Sequence, residues 1–147
     1  MIILQKLTED LKSAMKAKDE TRVGTLRLLI SDLKKQKIDS GKELAEEQEI
    51  AVLLSAAKKR NEAIEIYQST DRTDLLEKEQ RELSIIQQYL PAQMSDQEIE
   101  NEIDAIIKSL GASGLSDLGK VMGEAMKRLK GKADGKKVQN LVRTKLA

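Results

Sequence analysis

Lys127-Arg128-Leu129-Lys130-Gly131-Lys132-Ala133-Asp134-Gly135-Lys136-Lys137 joins two amphipathic segments, and its reading decides how the chain ends. Before it, Leu118, Val121, Met122, Ala125 and Leu129 recur at helical spacing; after it, Val138, Leu141, Val142 and Leu146 do the same. Gly131 falls where a helix ends with a residue at positive φ. Asp134 falls where a carboxylate caps the next helix, which makes Gly135, Lys136 and Lys137 its first three positions. Two lysines there are unfavourable, because a helix N-terminus carries about half a positive charge. An anion such as phosphate, held between the free N–H groups and the lysines, would cancel that penalty. The alternative is a solvated basic turn, with Lys127, Arg128 and Lys130 complementing the dipole of the preceding helix.

The same periodicity runs through the rest of the chain. Ile3, Leu7, Leu11 and Met15 make one stripe, and Val23, Leu26, Leu29, Ile30 and Leu33 a second. Gly24 inside the second costs about 1 kcal/mol relative to Ala, which close packing against a neighbouring helix would explain. Residues 44 to 69 form the longest helical segment, with Ile50, Leu53, Leu54, Ala57, Ile64 and Tyr67 on one face. Lys58, Lys59 and Arg60 on it read as a solvated basic spot. Leu76, Leu83, Ile86 and Leu90 mark a fourth helix, which Pro91 ends. Ser95-Asp96-Gln97-Glu98 is a capping box opening a fifth, with Ile99, Ile103, Ile106, Ile107 and Leu110 on its stripe. Ser116 reads as the cap of the sixth, and Gly119 and Gly123 within it as a site of close helix approach. No segment alternates with period two. The fold class is therefore all-α with seven helices. N-terminal helical hairpins, about four helices, occupy residues 1–92, and a small C-terminal three-helix bundle occupies 93–147.

Net charge is only +1, but its distribution is uneven. Residues 118 to 147 hold nine basic residues against two acids, and residues 43 to 90 hold six against eleven. The asymmetry suggests one face meant for a polyanion. There is no Cys and no His, which excludes disulfides, thiol nucleophiles, Cys or His zinc sites and histidine bases. No cofactor and no metal is expected. Carboxylates are plentiful on polar faces, but no apolar flank demands that one of a pair be buried for acid–base work. Serines and threonines sit mainly at caps, so none is an activated nucleophile. Met1-Ile2-Ile3-Leu4 meets Gln5 and Lys6 at once and is not a signal peptide, and no apolar run approaches a membrane span. The expected location is cytoplasmic. Tyr67 and Tyr89 are the only aromatics. A nucleic acid would thus be gripped by backbone and shape, without base stacking.

These observations nominate Lys120, Lys127, Arg128, Lys130, Gly131, Lys132, Gly135, Lys136, Lys137 and Arg143 as a nucleic-acid-binding surface. The residue types point away from an enzyme.

The run Arg72-Thr73-Asp74-Leu75-Leu76-Glu77-Lys78-Glu79, then Glu82-Leu83 and Tyr89-Leu90-Pro91, resembles the YqeY family. So does Val121-Met122-Gly123 followed by Lys130-Gly131-Lys132-Ala133-Asp134-Gly135; Thr25-Leu26-Arg27 and Lys59-Arg60 are similar too. The resemblance covers almost the whole chain. One departure is Leu44-Ala45, where the family pattern has a helix-capping Ser or Thr. YqeY proteins are similar to the C-terminal tail of GatB, one component of the glutamine-dependent amidotransferase that converts Glu-tRNA(Gln) or Asp-tRNA(Asn) to the amidated form. There the tail is a helical tRNA-contacting appendage, while kinase and transamidase chemistry lies elsewhere; related modules add tRNA affinity to some glutaminyl-tRNA synthetases. The resemblance thus implies a non-catalytic accessory protein whose partners are tRNA or another structured RNA, with translation or amidotransferase components and no membrane. Two other readings stand beside it. One is a helical protein–protein adaptor working through the acidic first domain; the other is a carbon–nitrogen ligase using glutamine as amido donor.

Overall fold

The computed structural model describes residues 1–147. It contains seven α-helices and no strand, as the periodicity predicts. They are α1 (Ile2–Lys16), α2 (Glu20–Ser40), α3 (Glu46–Gln68), α4 (Thr73–Gln87), α5 (Asp96–Leu110), α6 (Leu118–Leu129) and α7 (Gly135–Leu146), with a 3₁₀ turn at Leu115–Asp117 before α6. The chain forms two compact units, Met1–Leu90 and Pro91–Ala147.

In the first unit α1 packs along α2 and α3 along α4, with α2 also against α3 and α4. Leu7, Leu26, Leu29, Leu33, Leu53 and Ile86 are fully buried between them. The stripe of α1 holds at Ile3, Leu7 and Leu11 and differs from its sequence reading only at its last position: Ala14 is buried, whereas Met15 is half exposed. Gly41 ends α2 in the left-handed conformation, φ +72°, and donates its N–H to the carbonyls of Ile38 and Lys37. At the start of α3, Gln48 Oε1 accepts from the Ala45 N–H at 2.8 Å, but the Ala45 methyl has nothing to return. Only half of a capping box survives the Leu44-Ala45 departure. Leu44 instead buries its side chain in the core.

Polar groups are buried in this unit too. Glu49 of α3 is 0% exposed. Its carboxylate accepts from the backbone N–H of Leu4 at 2.8 Å and of Ile3 at 3.4 Å. The free N–H groups at the start of α1 are thus capped from a helix 46 residues away. Tyr89 is buried and donates its hydroxyl to Asp10 at 2.5 Å while accepting from Arg22 at 3.0 Å. Burial, then the Asp10 hydrogen bond, push its phenol up to about 12. Arg60 does not face solvent as expected; it turns inward to Glu82 at 3.3 Å. Gly24 has no close helix beside it, since a Cβ there would meet nothing within 4 Å.

The second unit has its own core. Ile99, Ile103 and Ile106 of α5 meet Val121, Ala125 and Leu129 of α6 and Val138, Val142 and Leu146 of α7. The Ser95 hydroxyl accepts from the Glu98 N–H at 3.2 Å to start α5, and Gly111 ends it at φ +62°. Ser116 is not the cap of α6. It lies in the 3₁₀ turn, and Asp117 occupies the N-cap position, spending its carboxylate on the Ser113 N–H at 2.8 Å. Gly119 and Gly123 have nothing within 4 Å of an added Cβ, so they mediate no helix contact.

Candidate nucleic-acid interface

The basic turn has the local geometry its sequence predicts. α6 ends at Leu129, Lys130 leaves the helix, and Gly131 takes φ +77°. Ala133 is buried against the core and pins the turn. The Asp134 carboxylate then accepts from the Lys136 N–H at 3.2 Å and starts α7 at Gly135. A Cβ at Gly135 would lie 3.6 Å from Met126 Cε, an ordinary contact. Only Gly131 therefore needs to be glycine on backbone grounds.

The segment before α5 straps this turn. Gln93 Nε2 donates to the Gly131 carbonyl and to the Pro91 carbonyl, each at 2.8 Å. The Met94 N–H donates to the Lys132 carbonyl at 3.0 Å. Gly131 is buried as a result, so the turn offers lysine side chains to the outside rather than bare backbone at that residue.

The structure divides the nominated cations, together with Lys145, into two sets. Lys137 forms an ion pair with Asp96 at the start of α5. Arg128 pairs with Glu102 and Glu124, each at 3.1 Å, and these carboxylates raise its pKa. Lys145 pairs with Glu100 at 2.7 Å and Asp104 at 3.1 Å, which likewise raises its pKa. The unfavourable lysines at the start of α7 are thus offset from within the chain, by the Asp134 cap and by Asp96. Lys120 and Lys127 on α6, Lys132 in the turn, and Lys136 and Arg143 on α7 are exposed and outside these pairs. Lys130 is exposed as well.

Sequence reasoning missed the acids. Residues 91–147 hold ten basic and eight acidic residues, so the unit as a whole is only +2. Asp96, Glu100 and Asp104 recur at helical spacing on one edge of α5, which is the signal that could have found them. The unit that carries the basic turn contains no aromatic residue.

A family model described as "Yqey-like protein" matches residues 4–146. The chain belongs to the YqeY family. A similar protein from Lachancea thermotolerans, named altered inheritance of mitochondria protein 41, mitochondrial, is 36% identical over 75% of this chain and 60% of its own length. A protein of the same name from Pyrenophora tritici-repentis is 29% identical over 98% of this chain and 83% of its own length. The chain thus spans three fifths of the first of these relatives and most of the second. A shorter similarity joins it to one of the glutamyl-tRNA(Gln) amidotransferase subunits of Thermococcus gammatolerans, 40% identical over 36% of this chain and 9% of that protein.

The family match bears out the resemblance, and the archaeal similarity accords with the amidotransferase relation. The expected cytoplasmic location is corrected: the similar fungal proteins are named as mitochondrial. The physical reason is that the absence of Cys and of a long apolar run does not distinguish one reducing compartment from another. Organelle addresses are read by receptors and leave no mark on core packing.

Proposed function

We propose that this YqeY-family chain is a non-catalytic accessory module that grips the backbone of a structured RNA such as tRNA. The observation that carries the reading is the exposed set Lys120, Lys127, Lys132, Lys136 and Arg143, spread along α6, the turn and α7 of a unit that has no aromatic. Such a surface binds phosphates and reads shape rather than bases. The similarity to a protein named for glutamyl-tRNA(Gln) amidotransfer supports the choice of RNA over other polyanions. In this reading the two units are separable domains, 1–92 and 93–147, and catalysis belongs to partners in translation or amidotransfer.

The test is the binding of bulk tRNA, followed by fluorescence anisotropy against salt. About four phosphate contacts give a log–log slope near −3 to −4. Lys120, Lys127, Lys132 and Lys136 changed together to Gln flatten that slope and weaken all tRNA species alike. Lys34, Lys35, Lys58 and Lys59 changed to Gln, on the first unit, have a smaller effect. Equal losses from both variants would reduce the interaction to diffuse charge attraction.

A second reading, a protein adaptor, is favoured by the far half of the α3–α4 pair. Ile66 is 64% exposed there, and the stretch from Lys58 to Arg81 contributes no fully buried side chain. An RNase-insensitive partner captured by the first unit alone would favour it.

A further inference from the structure

The nominated cations, together with Lys145, fall into two sets that lie on different sides of the second unit. Those facing α5 are held by Asp96, Glu100, Glu102 and Asp104. Those on the outer faces of α6, the turn and α7 are not in these pairs. The helical phase explains the division. Asp96, Glu100 and Asp104 rise along the α5 edge that meets Lys137 and Lys145, while Glu102 occupies the edge that meets Arg128. Every one of these pairs is at the surface, where water and salt compete with it. The same cations could therefore exchange a carboxylate for a phosphate at little cost, were the carboxylates not fixed alongside.

We propose that the acid rows of α5 are the orientation-determining residues of the RNA contact. They act as a built-in polyanion that neutralises Arg128, Lys137 and Lys145 and repels a nucleic-acid backbone from the α5 side. RNA then meets only the α6–turn–α7 edge, in one orientation. The inference rests on the RNA reading above and names the side of the unit that the RNA contacts. It also accounts for a unit with net charge of only +2 carrying a concentrated basic edge: repulsion on one side makes attraction on the other directional.

The experiment uses the full chain and bulk tRNA. Asp96→Asn, Glu100→Gln, Glu102→Gln and Asp104→Asn are combined, with folding checked by circular dichroism. The expected result is an affinity at least about tenfold higher at low salt, and a log–log slope steeper by about 1.5 to 2, because Lys137 and Lys145 are released and displace further counterions while Arg128 keeps its Glu124 partner. Footprints of the RNA on the protein, read by lysine modification, should extend from Lys120, Lys127, Lys132 and Lys136 to include Lys137 and Lys145. The control is Glu62, Glu65, Glu77 and Glu79 changed to Gln in the first unit, which alters net charge equally. If the control raises affinity as much, or if the α5 variant leaves slope and footprint unchanged while the wild type binds, the orientation proposal is overturned and the RNA reading stands. If neither wild type nor variant binds tRNA, both fall. Should the fourfold variant fail to fold, Glu100→Gln with Asp104→Asn frees Lys145 alone and is expected to steepen the slope by about one.

Discussion

The two units use polar groups in opposite ways. In the first, the carboxylate of Glu49, the Tyr89 hydroxyl and the Arg60–Glu82 pair are inside or nearly so; the first two tie together segments distant in sequence, and the third joins the neighbouring α3 and α4. In the second, the ion pairs of Arg128, Lys137 and Lys145 lie on the outside of an apolar core. A buried polar group has no substitute partner, so losing its mate exposes the full cost of desolvation. A surface pair always has water and ions as alternatives. The first unit is therefore specified by its polar contacts, whereas the second is specified by its core and keeps its charges exchangeable.

The largest expected effect tests the first half of that contrast. Glu49→Ala leaves the N–H groups of Ile3 and Leu4 without their acceptor in a dry site, and should cost about 3 kcal/mol in denaturant unfolding. Glu49→Gln, which keeps one acceptor oxygen, should recover part of it. Hydrogen exchange should show protection falling across α1 to α4 and unchanged across α5 to α7; a loss spread evenly over both units would break the comparison and the two-domain proposal together.

Next in size is Tyr89→Phe, which removes the hydroxyl bridging Asp10 and Arg22, leaves only their direct 4.0 Å ion pair, and should cost about 1 to 2 kcal/mol at neutral pH. The effect carries a pH signature. The folded phenol titrates near 12 against an ordinary value of 10, so the fold favours the neutral form. Its contribution is whole below pH 10 and disappears as pH rises towards 12. The stability difference between wild type and Tyr89→Phe should shrink over that window. A difference constant through it would show that the hydroxyl is not held as described.

The smallest effect belongs to the second unit. Arg128→Gln and Lys145→Gln should each lower its melting temperature slightly at low ionic strength and leave it unchanged in about 1 M salt, where screening reaches within a few ångströms. A loss that persists at high salt would place these pairs in the same class as Glu49.

The sequence made legible what is decided within a few residues. Gly131 at positive φ, Asp134 as a cap and Ser95 as a cap each depend on neighbours no more than four positions away. The apolar stripes that fix seven helices are local in the same sense. Glu49 was invisible because nothing near it is missing a partner; the need arises at Ile3 and Leu4, and only folding brings the two together. The counterions of Arg128, Lys137 and Lys145 were opaque for the same reason. Lys145 meets Glu100 across 45 residues and Arg128 meets Glu102 across 26, so a charge count over the last thirty residues saw the cations without their counterions. The glycines at 24, 119 and 123 mark a different limit: spacing suggested close packing, yet each faces open space, and nothing within either unit explains them.

The cap supplied by Glu49 also sets an order in time. When the chain is made from its N-terminus, α1 emerges with its first N–H groups unsatisfied, and their acceptor is added 46 residues later. At about 5–20 residues per second, that interval lasts on the order of seconds. Until α3 begins, the start of α1 has only water to bond, and the α1–α2 pair should fray from that end. A nascent chain paused before residue 49 would be open at the first turn of α1 to any protease or chaperone that reads exposed backbone.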